Sequence, residues 1–177
     1  MVSGGLKFKA SINDYDWLGS GMYFWENNPE RALEYVQEHI KRHDIKDAPS
    51  VVGAVLDLGH CLNLLEKYHI DNLKNTYPLL VNLMEISGTP LPQNTVGADK
   101  LKRHLDRAII ELHHDLNENV DEKQPFDSVR GVFQEGKEAY PGAGFREKSH
   151  IQIAIRNPNC IKGFFWPREL DSKFGRT

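Results

Sequence analysis

Residues 17–27 read WLGSGMYFWEN: two glycines and a methionine among Trp17, Tyr23, Phe24 and Trp25, running directly into NPERALEY. Aromatic rings offer flat apolar faces, and glycine lets a backbone approach whatever lies beside it. Further on, HIQIAI at 150–155 alternates so that His150, Gln152 and Ala154 share one strand face and Ile151, Ile153 and Ile155 the other. Glu135, Glu138 and Glu147 precede it and, by type, are solvated loop charges. Metal and thiol chemistry are poorly provided for. His39 and His43 stand four apart, the separation that metal ligands use, but no HExxH pattern or third ligand accompanies them. His113 and His114 are adjacent and cannot share a helix face, so no metal site is read. Cys61 and Cys160 each lack a neighbouring thiol, which leaves neither a disulfide framework nor a zinc knuckle.

Short elements must position these residues. GMYFW reads as a buried strand, because aromatic residues fit a pleated surface and no turn former interrupts them. A helix follows: Asn28 caps it, Pro29 fits its first position, and Ala32, Leu33, Val36 and Ile40 recur at three- or four-residue steps. In SVVGAVLDLGHCL (50–62), Val51, Val52, Val55 and Leu56 form the near-continuous apolar run of a central strand. From Leu64 to Ile86 the pattern is helical, interrupted by Pro78, and SGTPLPQNTVG is a loop. Leu101, Leu105, Ala108, Ile109, Leu112 and Leu116 make an apolar stripe of a helix buried against the domain, and Lys100, Lys102, Arg103 and Arg107 give its start a positive edge. About residues 63–120 thus read as a helical insertion. FDSVRGVF (126–133), HIQIAI and CIKGFFW (160–166) are strands, and QEGKEAYPGAGFREKS (134–149) has the composition of a mobile loop over a site.

With 177 residues, 40% of them apolar, residues 1–177 suit one domain with a sizeable core. A formal net charge of −3 argues against a surface built throughout to neutralise phosphates, so any nucleic-acid role needs a local site. MVSGGLKFKA lacks an apolar signal core, and no run of about eighteen apolar residues occurs, so a cytoplasmic protein without a membrane partner is expected.

GSGMYF followed by a helix resembles the Gly-x-Gly-(Ile/Met)-Tyr-Phe segment of the diphtheria-toxin and poly(ADP-ribose) polymerase branch of the ADP-ribosyltransferases. HIQIAIRNPNCIKGFF resembles the strand of that family that carries its catalytic acid and turns into the last strand. The resemblance covers roughly residues 17–43, 50–60 and 126–167, not the helical middle. It implies an α+β fold with a split, twisted antiparallel β core, NAD as the ADP-ribose donor, and cleavage of the bond between nicotinamide and ribose. Tyr23 would stack on the cationic nicotinamide, with Gly19, Gly21 and Phe24 beside the cofactor. The ribose acquires oxocarbenium character, which a preorganised acceptor beneath it stabilises.

Two departures follow from the alignment. The family's catalytic Glu falls on Gln152, whose amide accepts a ribose hydrogen bond without supplying a net charge. Either Glu147, Glu135 or Glu138 supplies the acid, or the chemistry differs. His150, two residues before Gln152, occupies a position that often contacts the acceptor in relatives. The family's His-Gly pair, whose imidazole contacts the adenosine-side ribose, has no counterpart before Tyr23; VSGGLKF aligns after the family's first helix, so the first strand and helix are expected to be missing and the chain to be weakly active. The implied activity is mono-ADP-ribosyl transfer to a macromolecule, nucleic acid or protein, by a toxin with an antitoxin partner or a phage-defence effector. The loop at 134–149 would face the acceptor, with Tyr140 and Phe145 stacking if that acceptor is a base. The alternatives are a catalytically inactive nucleotide- or partner-binding domain of the same fold, and an RNA 2′-phosphotransferase-like enzyme.

Overall fold

The computed structural model describes residues 9–97, 99–119 and 124–168; VSGGLKF lies outside them. In chain order the elements are β1 (Met22–Trp25), α1 (Pro29–His43), β2 (Gly53–Leu56), β3 (Cys61–Asn63), α2 (Lys67–Ser87), β4 (Asn94–Thr95), β5 (Lys102–Arg103), α3 (His104–Glu118), β6 (Ser128–Phe133), β7 (His150–Ile155) and β8 (Ile161–Phe165). The fold is α+β. A four-stranded sheet has the order β1-β7-β6-β3, while β2-β8 and β4-β5 form two-stranded sheets.

Strand alternation sorts the residues of the larger sheet into two cores. Val129, Phe133 and Ala154 join Leu18, Leu62, Ile110 and Phe126, with Tyr23, Leu64 and Leu73 against them, so this face packs on α2 and α3. Ile153 and Ile155 face the other way with Met22 and Phe24 of β1, and pack with Cys160, Leu56, Leu58 and Ile161 on the β2–β8 side. Helix α1 starts as its sequence directs: Asn28 Oδ1 accepts from the Arg31 backbone N–H at 3.0 Å, Pro29 opens the first turn, and Asp44 ends the helix in a left-handed conformation.

Several expectations are corrected. The apolar run at 50–62 is not one central strand. Among the described residues it divides into β2, which pairs only with β8 and leaves Val55 more than half exposed, and β3, an edge of the larger sheet. The β core is not wholly antiparallel, because β3 runs parallel to β6. A parallel neighbour requires a long crossover, and residues 64–127 supply it, so the helical middle connects two paired strands rather than interrupting them. Pro78 does not interrupt α2, which runs continuously through it; Lys74, four residues earlier, is exposed, so the carbonyl that loses its donor faces water. The stripe beginning at Leu101 is also displaced: Leu101 precedes α3 and is exposed, as is Leu116, and the buried positions are Ile110, His114 and Asn117.

Candidate functional site

The chain brings four aromatic or polar side chains together on one half of the larger sheet. Gln152 on β7 lies opposite Trp25 on β1 and Gly131 on β6, and His150 lies opposite Phe133. The period of two puts all of them on the face that carries Val129 and Ala154 farther along. There α2 and α3 cover the sheet; at this end Gln152 is only half-buried. Gly131 leaves room here for Leu18, whose Cδ2 atom would lie 2.9 Å from an added Cβ.

His150 is buried and stacks on Phe133, with ring centroids 5.5 Å apart and an 18° interplanar angle. Its Nδ1 lies 2.6 Å from the Lys148 carbonyl oxygen and its Nε2 2.8 Å from the Gln152 amide nitrogen. Burial holds its pKa below the ordinary histidine value, against opposing contributions from the Lys148 carbonyl and Glu135. Phe133 in turn packs on Trp17 at 4.3 Å, and the Arg103 guanidinium lies 3.7 Å from the Trp17 ring centre. Across the sheet edge Trp25 meets Tyr35 of α1 at 4.9 Å, and its buried indole N–H has no hydrogen-bond partner among the described residues.

Segment 134–149 folds as a short irregular hairpin. Glu138 and Arg146 bridge, Ala139 N–H donates to the Phe145 carbonyl, and Glu147 N–H donates to the Lys137 carbonyl. Its base is clamped to α1 twice, by Arg31 with Glu135 at 3.0 Å and by Lys148 with Glu38, and once to the 96–103 segment, where Asp99 accepts from Gly136 N–H at 3.1 Å. Tyr140 and Phe145 project from it, both more than half exposed.

No family model, curated protein or solved structure matches this chain.

Not all the residues singled out in the sequence meet at Gln152. Tyr23 is on the same face, but its ring packs against the core and its hydroxyl is spent on the chain itself, accepting from Leu18 N–H at 3.0 Å and donating to the Gly19 carbonyl at 2.8 Å. Burial raises its pKa well above the ordinary phenol value. The space beside Gly19 and Gly21 is taken by protein: a Cβ on Gly19, at φ +79°, would meet Ile110 and Glu111, and one on Gly21 would lie 2.9 Å from the Ile155 carbonyl oxygen. Phe24 is on the opposite face, because alternation turns it toward Ile153 and Ile155. Glu147 is exposed on the hairpin and Glu138 accepts from Gly142 N–H, whereas Glu135 is half-buried against Arg31. Arg107 and Arg103 of the positive edge are engaged with Ser20 and Asp106. His39 and His43 lie on an exposed helix face, and the described residues contain no group of three or more side chains suited to hold a metal ion. Both cysteines are free, and none of the described helices is long and apolar enough to cross a membrane.

The residues missed in the sequence are Trp25, Phe133, Trp17 and Arg31. Trp25 and Phe133 were within reach of strand alternation, two positions on from Tyr23 and from Gly131 respectively. Arg31 had no such marker, because its partner is 104 residues away.

Proposed function

We propose that this chain binds NAD over the half-buried Gln152 and transfers ADP-ribose to a macromolecular acceptor presented to the 134–149 hairpin. The observation that carries this reading is the placement of Gln152: a half-buried polar acceptor on a sheet face, opposite Trp25 on one strand and Gly131 on the other, beside the buried His150 and Phe133. The fit to the donor is partial. Gln152 would accept from the ribose hydroxyls, and the flat faces nearest to it are those of Trp25 and Phe133. Tyr23 serves instead to hold the Gly19 turn that borders them. The exposed Tyr140 and Phe145 suit a nucleobase or an aromatic protein side chain as the acceptor. A toxin or phage-defence role, with an antitoxin covering this face, is the cellular form of the same reading.

The chemical logic is differential stabilisation. As the nicotinamide leaves, positive charge grows on the ribose; an amide oxygen fixed beneath it stabilises that charge, though less than a carboxylate does. Glu135, tied to Arg31, is the acid that stands nearest in electrostatic influence to His150. Nicotinamide release is the measurement that tests the proposal, with RNA, DNA and protein lysate as separate acceptors. Gln152→Ala is expected to lower turnover at least a hundredfold, about the loss seen when a single oxyanion-hole donor is removed. Gln152→Glu is expected to raise NAD hydrolysis relative to transfer.

A second reading is favoured by a specific observation: the catalytic position holds an amide, Glu147 is exposed on the hairpin, and Tyr23 is committed to the core. On that reading the same face binds a nucleotide without turnover. Saturable NAD binding by calorimetry with no nicotinamide release under any acceptor would select it.

A further inference from the structure

A backbone carbonyl can only accept, so the contact between His150 Nδ1 and the Lys148 oxygen puts the single proton of the neutral ring on Nδ1. Nε2 is then a bare lone pair, and the atom facing it at 2.8 Å is the Gln152 side-chain nitrogen. An amide N–H satisfies that lone pair, whereas an amide oxygen would oppose it. The carboxamide is thereby held with its NH2 end against His150 and its oxygen turned away.

We propose that His150 is a positioning residue that sets which end of the Gln152 amide faces the bound sugar: the oxygen while the imidazole is neutral, the NH2 group once it is protonated. The consequence for turnover rests on the ADP-ribosyl-transfer reading; the orientation itself does not. A protonated ring carries N–H on both nitrogens. Nδ1–H keeps the Lys148 carbonyl, while Nε2–H now requires an acceptor, which Gln152 supplies only by rotating its amide end for end. The NH2 group that this turns outward opposes positive charge on a ribose, where the oxygen supports it. The fold need not move.

The groups around the ring make such a switch workable. On β6, Phe133 covers one face; on β1, Trp25 stands at 6.4 Å. Glu135 on the hairpin favours the cation, and Arg31 on α1, paired with Glu135, opposes it. The Lys148 ammonium is held by Glu38 of α1. Burial prevails and keeps the ring neutral at neutral pH.

The test is nitrogen-15 NMR of the intact chain, with the Gln152 side-chain amide assigned by its loss in Gln152→Glu and the ring by its loss in His150→Gln. The expected result is the Nδ1–H tautomer at neutral pH, and a shift of both Gln152 amide protons that shares its midpoint with the His150 titration. An Nε2–H tautomer, or an amide unmoved through that titration, overturns the proposal. In parallel, nicotinamide release by the wild-type protein is expected to fall about tenfold per pH unit below that midpoint, with no such fall at that pH in Gln152→Glu, which has no amide to reverse. The shared midpoint in a protein that releases no nicotinamide at any pH would uphold the positioning role and refute ADP-ribosyl transfer.

Discussion

Single atoms decide much of the behaviour around residues 17–25. The Tyr23 hydroxyl satisfies one donor and one acceptor of the Leu18–Gly19 backbone, so Tyr23→Phe leaves both unpaired and is expected to cost about 1–3 kcal/mol, read as a lowered urea midpoint. Tyr23→Ala also removes the packed ring and should cost about 3–5 kcal/mol, which makes it a folding variant before it is a binding one. A second residue governs the acid limit. His114 is buried in α3, with neither ring nitrogen bonded among the described residues, and it shares the surroundings of Phe126 with His60, His69 and His113. Burial, aided by Arg156 and His113, pushes its pKa down to about 3. A folded value below the unfolded one means that the unfolded chain takes up the proton first. The stability that His114 confers when neutral is therefore complete above about pH 6.5 and is lost as pH falls toward 3, by about tenfold in the folding equilibrium per unit. Thermal melts of wild type and His114→Leu should differ in slope with pH below about 6.5 if His114 is the source, the variant losing less on acidification. Parallel acid profiles would assign the loss to the carboxylates, Asp127 among them, whose pKa is lowered chiefly by its bond from Asn157.

Between elements, the joint of α1 with the hairpin is the one to probe. Arg31 is buried and its partner Glu135 nearly so, so Arg31→Ala should strand a largely buried carboxylate and cost about 3–5 kcal/mol, whereas Arg31→Met with Glu135→Gln, which removes both charges, should cost much less. Hydrogen exchange at Gly136 and Lys148 would report whether the base of the hairpin loosens first. Gly21→Ala is expected to separate β1 from β7, because the atom its Cβ meets is the Ile155 carbonyl oxygen, fixed by the strand ladder. What was legible in the sequence was local. Asn28, Pro29 and the spacing of the apolar residues announced α1, and the alternation of HIQIAI announced which face Gln152 and His150 share. Pairing was not legible. Nothing within GAVL tells whether it will be flanked on both sides, and a proline in a helix is tolerated or not according to what stands outside it. At the site the shared face could be read, but not the tie between Tyr23 and Gly19, since a backbone carbonyl leaves no trace in residue type.

At the scale of the whole molecule the strand order is the feature with the longest reach. Of the larger sheet, β1 and β3 come from the first 63 residues and occupy its two edges; β6 and β7, from residue 128 onward, fill the middle. Strand β2 likewise finds its partner only in β8. On the ribosome this amounts to a waiting period: a nascent chain that has emerged as far as α3 holds β1, β2 and β3 but not one of their partner strands, with Leu62 and Phe24 still in water. Folding would then wait for β6, β7 and β8 to emerge, and chains stopped before residue 150 should remain protease-sensitive while those extended through residue 168 resist digestion.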